Sequence, residues 1–361
     1  MFMSDSEIYL VVWRVLGSPR LDRTRIKMLR PLTTIPLPGS AQTRLRDYGF
    51  IYYEDLCDDK GCNLEGKNLI RQWGLDEQLP SLTSPPPTKS ALDIWQEECN
   101  APRIVTFCKA LDDNLGGGLA VGELTELCGA PGSGKTQLCL QLCVDVQIPS
   151  SFGGLGGEAV FIDTDGGFTP HRLKEVAEAC VNHLRQLELN QDFREMDQQT
   201  NNFTVESVMQ RIHYIATKDH LQLLAAMYSI TEFLEKKKQV KLIVVDSLAF
   251  PFRNGTLDSL LRTRLLCTVL AELRKVARKY SLSVLITNHL TTKVSPGSES
   301  HLVPALGDSF GHYINTRIML GSLQQGCCAA VLIKSVRSSE LSAKFQLQSR
   351  WFRLPDFRRP R

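Results

Sequence analysis

Residues 129–136 read GAPGSGKT, and they place flexible glycines directly before a lysine and a threonine. The spacing matches G-x-x-x-x-G-K-[ST], a loop whose backbone N–H groups converge on a phosphate. Glycine tolerates the unusual dihedral angles that this loop demands. Lys135 would reach the β- and γ-phosphates, and the Thr136 hydroxyl would be a ligand of Mg²⁺. The predicted ATP-binding residues are Gly129, Ala130, Pro131, Gly132, Ser133, Gly134, Lys135, Thr136 and Gln137.

Two acidic residues follow apolar runs further along the chain. Asp246 ends KLIVVD, 111 residues after Lys135, where a P-loop protein holds Mg²⁺ through a strand-end carboxylate. Asp165 lies in FIDTDGGF, 30 residues after Lys135, and could orient the water that attacks the γ-phosphate. Simpler interpretations remain: Asp246 as an ordinary acid at a strand end, and Asp165 as a helix N-cap.

The elements that must position these residues alternate along the chain. Apolar runs at 124–128, 159–163, 242–246 and 283–287 are separated by longer helical patterns, which is typical of βαβ units around a parallel sheet. Later runs at 316–320, 329–333 and 344–348 fit an antiparallel extension of that sheet. The sequence therefore predicts an α/β fold.

Composition shifts predict five segments. They are an N-terminal extension (1–35), a small helical domain (36–80), a proline-rich linker (81–100), the α/β core (101–350) and a basic tail (351–361). Three consecutive prolines in PSLTSPPPTKS favour an extended linker.

The bulk composition is that of an ordinary globular protein, with 43% hydrophobic and 22% charged residues among 361. A net charge of only +3 means that any nucleic-acid contact must come from local clusters. No run reaches the roughly 18 apolar residues of a membrane span, so we expect no membrane partner. The eleven cysteines are interpreted as reduced thiols of a nuclear or cytoplasmic protein.

Six motifs carry a resemblance to a known family: LDDNLGGGL, GAPGSGKTQLC, FIDTDGGF, LIVVDSLAFPFR, LITNHLTTK and PALGDSFGH. Their order and spacing resemble those of the eukaryotic RecA-like strand-exchange recombinases over about residues 36–350. The amino-acid sequence around the glycine loop is most similar to that of the C-type paralogues. The resemblance implies a RecA-type P-loop ATPase core after a helix-hairpin-helix-like N-terminal domain. It also implies ATP and Mg²⁺ as cofactors and DNA-dependent ATPase activity in the nucleus, with the cytoplasm as a second location. The implied partners are single-stranded and branched DNA and sister paralogues in homologous-recombination repair.

Two catalytic positions depart from the family pattern. The family has glutamate at Asp165, so the carboxylate here is roughly 1.5 Å shorter in reach. The family has glutamine at His289, the position of the γ-phosphate sensor, where a histidine has different reach and can titrate. With Lys135, these residues form the predicted catalytic set, and we expect ATP binding with slow turnover. Arg172 resembles the arginine that flanks the adenine, although an exposed helix-start arginine is an equal alternative.

The resemblance also places DNA-binding loops at 251–264 and 291–309. The first carries Arg253, Arg262 and Arg264, and the second carries Lys293. Guanidinium forks suit phosphates, whereas a solvated surface loop is the alternative from the bare sequence. In the linker, ALDIW (91–95) could add a strand to a neighbouring subunit's sheet.

Two other classes of function remain open. One is a scaffold that holds ATP without hydrolysing it, and the other is an unrelated P-loop kinase or hexameric helicase.

Overall fold

A computed structural model of the chain describes residues 31–34, 37, 39–52, 55–56, 68, 88–189, 203–253, 258–293, 300–322, 327–336, 341–347 and 352–353. The chain divides into two compact units, Met1–Ile94 and Trp95–Arg361. The larger unit carries every predicted site residue.

The smaller unit contains a 3₁₀ turn, Leu32–Thr34, and helix α1, Gly39–Asp47. Ala41 and Leu45, four residues apart on α1, are buried on one face of the helix. Most of the predicted 36–80 domain after residue 56 lies outside the described residues, as do residues 1–30 and most of the C-terminal tail.

The linker segment forms helix α2, Ala91–Asn100, all of whose residues are exposed. Ser90 and Asp93 cap it reciprocally: the backbone N–H of Asp93 donates to Ser90 Oγ, and the backbone N–H of Ser90 donates to Asp93 Oδ2, both at 3.1 Å. In the single chain this segment is therefore helical, and its pairing as a strand with a neighbouring subunit stays a prediction. The capping pair favours a helix there.

The core is a nine-stranded sheet in the described part of the larger unit. Its order is β13-β12-β11-β10-β3-β7-β6-β4-β5. The strands are β3 (Leu124–Gly129), β4 (Glu158–Asp163), β5 (Ile212–Ala216), β6 (Val240–Asp246), β7 (Ser283–Asn288), β10 (Thr316–Ser322), β11 (Cys327–Lys334), β12 (Leu341–Leu347) and β13 (Phe352–Arg353).

Strands β10, β3, β7, β6, β4 and β5 are parallel, whereas β11, β12 and β13 continue the sheet from β10 in antiparallel pairs. The predicted parallel core with an antiparallel extension is confirmed. Two smaller pairs lie outside this sheet: β1 (Arg103–Ile104) with β2 (Leu119–Ala120), and β8 (Leu290–Lys293) with β9 (His301–Pro304). The sequence prediction missed β5, all of whose residues are at least partly exposed because it lies at the edge of the described sheet.

Helices cover both faces of the sheet, which makes the fold α/β. One face packs against α3 (Lys109–Leu115), α4 (Lys135–Asp145), α5 (Pro170–Leu189) and α6 (Val205–Gln210). The other packs against α7 (His220–Lys236), α8 (Ala249–Arg253), α9 (Ser259–Lys279) and α10 (Gly307–Tyr313). None of the helices described is long and apolar enough to cross a bilayer.

The parallel strands bring the candidate chemistry to one edge of the sheet. Gly129 ends β3, Asp163 ends β4, Asp246 ends β6 and Asn288 ends β7. The register pairs Asp163 with Asp246 and Cys128 with Asn288. Because ligands bind outside the carboxyl ends of such strands, this edge is where a nucleotide would bind.

Candidate nucleotide-binding site

The loop between β3 and α4 has the backbone that the glycine pattern predicts. Gly132 and Gly134 have φ values of 76° and 91°, in the left-handed region that favours glycine. At Gly129, a Cβ atom would lie 2.5 Å from the Leu320 carbonyl oxygen and 2.5 Å from Ser133 Oγ. Glycine at 129 is therefore required by close packing, and glycine at 132 and 134 by the turn itself.

Lys135 begins α4, and its ammonium lies over the loop. Nζ donates hydrogen bonds to the carbonyl oxygens of Gly129 and Ala130, both at 2.9 Å. Burial lowers the pKa of Lys135, while the carboxylate of Asp246 opposes that shift. The negative charge of an anion bound in this loop would offset the effect of desolvation and favour the charged ammonium.

A hydroxyl–carboxylate cluster adjoins the lysine. Thr136 Oγ1 donates to Asp246 Oδ2 at 2.6 Å, and the Thr287 hydroxyl donates to the other oxygen of Asp246. Asp246 is only 3% exposed. The two predicted Mg²⁺ ligands, Thr136 and Asp246, are therefore in direct contact.

The residues fit a metal-bound triphosphate. Ser133 Oγ is buried in the loop and has no hydrogen-bond partner, so it is available to a phosphate oxygen. Oxygen donors such as the Thr136 hydroxyl and the Asp246 carboxylate are the ligands that Mg²⁺ prefers. Among the described residues no cluster of three or more His, Cys, Asp or Glu side chains could hold a metal alone. The nucleotide's phosphates and water would have to supply the other ligands.

The loop after β4 is organised by Asp163, which the sequence analysis left without a role. Asp163 Oδ1 accepts from the backbone N–H groups of Gly166 and Gly167, at 2.9 and 3.2 Å. Oδ2 accepts from the Phe168 N–H at 3.1 Å and from the Tyr214 hydroxyl at 3.2 Å. An acid at a strand end, followed three residues later by two glycines, was the available signal for such a turn.

Asp165 lies on this loop, facing the glycine loop. A Cβ atom at Gly167 would lie 3.2 Å from Asp165 Oδ1 and 3.7 Å from Thr136 Oγ1, so the carboxylate and the hydroxyl flank the same point. Partial burial raises the pKa of Asp165, and the neighbouring charges of Asp246 and Asp163 raise it further. The structure therefore places Asp165 near Thr136, one of the two predicted Mg²⁺ ligands.

His289 directly follows β7, and its ring lies between the side chains of Arg253 and Ser247. Arg253 Nη1 donates to His289 Nδ1 at 3.2 Å, and His289 Nε2 lies 3.4 Å from Ser247 Oγ. Because Nδ1 accepts, the neutral ring carries its proton on Nε2 and donates it to Ser247. Burial and the cations Lys135 and Arg253 lower the pKa of His289. The neutral form is therefore favoured.

Gln137 and Arg172, both predicted to bind ATP, lie side by side. Arg172 Nε donates to Gln137 Oε1 at 2.6 Å, and Arg172 Nη1 donates to Glu175 Oε2 at 2.6 Å. These contacts hold the guanidinium of α5 against the first turn of α4.

The four predicted DNA-binding residues are all exposed, but the elements that carry them differ from the prediction. The segment 251–264 is not one loop. Arg253 ends α8, whereas Arg262 and Arg264 lie on α9, which begins at Ser259 behind its Asp258 cap. The segment 291–309 is likewise an antiparallel hairpin, β8–β9, followed by α10, with Lys293 at the end of β8. Helix propensity around LLRTRLL and the pairing of β8 with β9 account for the two differences.

Comparison with known proteins places this geometry in a family. The Rad51 family model matches residues 99–352. A DNA repair protein RAD51 homolog 3 from Cricetulus griseus is 37% identical over 340 residues, which cover 90% of this chain and 92% of that protein. A protein of the same name from Dictyostelium discoideum is 41% identical over 233 residues, covering 64% of this chain and 60% of that protein.

These matches extend over the sheet, the glycine loop and the strand ends that carry Asp163, Asp246 and Asn288. They confirm the resemblance to the RecA-like recombinases and to their C-type paralogues. The chain belongs to the Rad51 family.

Proposed function

We propose that the chain is an ATP-binding, DNA-dependent ATPase of slow turnover that assists recombinase filament assembly in homologous recombination and double-strand break repair, in the nucleus. The relatives' names as DNA repair proteins support the repair role. The contact of Thr136 with Asp246 beside Lys135 is the observation that carries the ATPase role.

Each group around the loop has a defined task. Bound Mg²⁺ would supply Lewis-acid stabilisation of charge on the transferred phosphoryl group. Thr136 and Asp246 would hold that ion, and Lys135 would exchange its two carbonyl partners for phosphate oxygens. Gln137 and Arg172 would adjoin the base.

Slow turnover follows from Asp165. Its carboxylate is one methylene shorter than the family's glutamate, and a misplacement of about 1 Å in a catalytic group can cost about 10²-fold in rate. Hydrolysis would then act as a switch between assembly states.

DNA would bind through Arg253, Arg262, Arg264 and Lys293, all of which are exposed. Single-stranded and branched DNA both present the phosphates that guanidinium and ammonium groups bind. Because Arg253 also binds His289, contact with DNA would be communicated to the γ-phosphate sensor.

Sister paralogues would dock at the open sheet edge. Within the described residues β5 pairs only with β4, and a groove of about 410 Å³ lies between β5 and α7, lined by Ile215, Ala226, Ile230 and Phe233 among others. An extended segment of a partner could pair with β5 and insert an apolar side chain into the groove. Ala226→Glu should then abolish copurification with a sister paralogue. Retention of the complex would argue against this docking site.

The central test is the rate of ATP hydrolysis with and without single-stranded DNA for the native chain, Lys135→Ala and Asp165→Glu. We expect slow, DNA-stimulated hydrolysis for the native chain, none for Lys135→Ala, and a rise on the order of tenfold for Asp165→Glu. Absence of Mg-ATP binding to folded native protein, measured by titration calorimetry, would refute the proposal. No rise in Asp165→Glu would refute the account of the short carboxylate.

The short carboxylate of Asp165 also favours a second candidate, a scaffold that binds ATP without needing to hydrolyse it. The variant Lys135→Arg separates the two hypotheses. If the chain is a scaffold, the variant should retain intact complexes and repair in cells. If hydrolysis is a switch, the variant should lose its repair function.

A further inference from the structure

Glu126 is a buried carboxylate in the middle of the sheet, three residues before the glycine loop, and the proposed catalytic steps do not use it. Its relative exposure is 0%. Arg317 Nε of β10 donates to Glu126 Oε2 at 2.5 Å, and Asn288 Nδ2 of β7 donates to Oε1 at 2.7 Å. One carboxylate therefore connects three adjacent strands.

A charge in this position is costly. Burial raises the pKa of Glu126, and the charge of Arg317 opposes that shift. Replacing a buried ion pair with apolar residues of similar volume is often neutral or stabilising, so the pair need not add stability. A role in fixing the arrangement of its neighbours explains it better.

Asn288 transmits the orientation of Glu126 to the hairpin that carries Lys293. Because Nδ2 faces Glu126, the amide oxygen Oδ1 must face the other way, where it accepts from the His289 N–H at 2.8 Å. Nδ2 also donates to the Ala305 carbonyl oxygen at 2.8 Å. Finally, the Ala305 N–H donates to the His289 carbonyl oxygen at 2.8 Å, which closes the base of β8–β9.

The same cluster holds the helix that follows the hairpin. A Cβ atom at Gly311 of α10 would lie 3.4 Å from an Arg317 guanidinium nitrogen. Lys334 Nζ of β11 donates to the carbonyl oxygens of Gly311 and Ile314, at 2.8 and 2.6 Å. The base of the β8–β9 hairpin and the end of α10 are therefore both held by side chains of β7, β10 and β11, close to β3, the strand that leads into the glycine loop.

We propose that Glu126 is a positioning residue that couples nucleotide binding at the glycine loop to the β8–β9 hairpin, by fixing the Asn288 amide and through it His289. The inference rests on the proposed ATP and DNA binding, and it adds the path by which one affects the other.

Glu126→Gln is the discriminating variant. A glutamine retains the volume but presents an NH₂ group to one of two donors, so one of the two hydrogen bonds must be lost. We expect the Kd for Mg-ATP to differ from that of the native chain by less than about threefold. The Kd for single-stranded DNA measured without Mg-ATP, divided by the Kd measured with Mg-ATP, should fall at least about fivefold. Hydrogen exchange should also become faster at the amides of His289 and Ala305.

Glu158→Gln is the matched control. It removes a carboxylate from a 2.7 Å pair with His213 at the β4–β5 edge of the sheet. We expect unchanged DNA coupling and unchanged exchange at His289 and Ala305. If Glu126→Gln fails to fold, as judged by thermal melting, Asn288→Ser leaves the Glu126–Arg317 pair in place and should show the same two losses.

Unchanged coupling and unchanged exchange in the folded variants would overturn the role of Glu126. A native chain whose DNA affinity ignores Mg-ATP would overturn the coupling and the proposed switch together. Exchange at His289 and Ala305 would, even then, report whether Glu126 positions the hairpin.

Discussion

At the scale of single residues, His289 gives the chain a pH response that a glutamine would not. Because its pKa is lowered, the ring protonates only below its ordinary value of about 6.5. Protonation would put hydrogen on Nδ1, which could no longer accept from Arg253 and would repel it. DNA-stimulated hydrolysis should therefore fall as the pH drops through that lowered pKa.

The test is to measure ATP hydrolysis, with and without single-stranded DNA, by the native chain and by His289→Gln between pH 7.5 and 5. We expect the ratio of DNA-stimulated to unstimulated rate to fall several-fold at acidic pH in the native chain only. His171→Gln, on the exposed start of α5, should behave as the native chain does. Parallel pH profiles for all three proteins would contradict the role of His289.

Residues whose role depends on local spacing were predictable from the sequence. Gly132, Lys135 and Thr136 follow from one eight-residue pattern; Gly132 has a positive φ, and Thr136 contacts Asp246. Glu126 was not predictable, because an acid inside an apolar strand looks like any strand residue. Its partners, Asn288 and Arg317, lie 162 and 191 residues away.

At the scale of elements, the loop that carries Asp165 depends on the edge strand. The Tyr214 hydroxyl donates to the carboxylate of Asp163, which organises the loop, and the Tyr214 ring lies 4.8 Å from that of Phe168. Tyr214→Phe removes the hydroxyl and retains the ring. The loss of one hydrogen bond to a charged acceptor at a half-exposed site should cost about 1 kcal/mol.

We expect this variant to hydrolyse ATP several-fold more slowly and to show faster hydrogen exchange at Gly166 and Gly167, with only a small drop in Tm. Tyr228→Phe, at a tyrosine that is 72% exposed on α7, is the control and should leave both measurements unchanged. A native rate in Tyr214→Phe would show that Asp163 holds the loop without help from β5.

Element types were predictable where hydrophobic periodicity was strong and failed where it was weak. The four buried parallel strands β3, β4, β6 and β7 lie at the predicted positions. The edge strand β5 was missed, since IHYIA lacks a continuous apolar run. The polar segments 251–264 and 291–309 were expected to be loops because they lack a clear apolar periodicity, although α9 begins at Ser259 and β8 pairs with β9.

At the scale of the whole molecule, the small net charge predicts how DNA binding responds to salt. With a charge of only +3, attraction to DNA must come from a few exposed cations. A single alanine substitution should reduce the slope of the logarithm of the binding constant for single-stranded DNA against the logarithm of the salt concentration by about 0.7. This applies to each of Arg253, Arg262, Arg264 and Lys293. Lys236→Ala, which removes a cation paired with Glu232, should leave the slope unchanged. Equal slopes for all five variants would remove these residues from the DNA interface.

The order and spacing of the motifs identified the family from the sequence. The sequence did not predict the order of strands in the sheet. That order depends on which strands pair across long separations, such as β10 beside β3, where Arg317 pairs with Glu126, 191 residues away.

The outer edge of β5 has a consequence for handling the protein. Among the described residues β5 pairs only with β4, and Ile212–Ala216 contain neither the proline nor the lysine that commonly protects an edge strand against self-association. An excess of this chain over its partners should therefore form soluble oligomers and precipitate. Its cellular amount should follow that of whichever protein covers the strand, and coexpression should yield more material than expression alone.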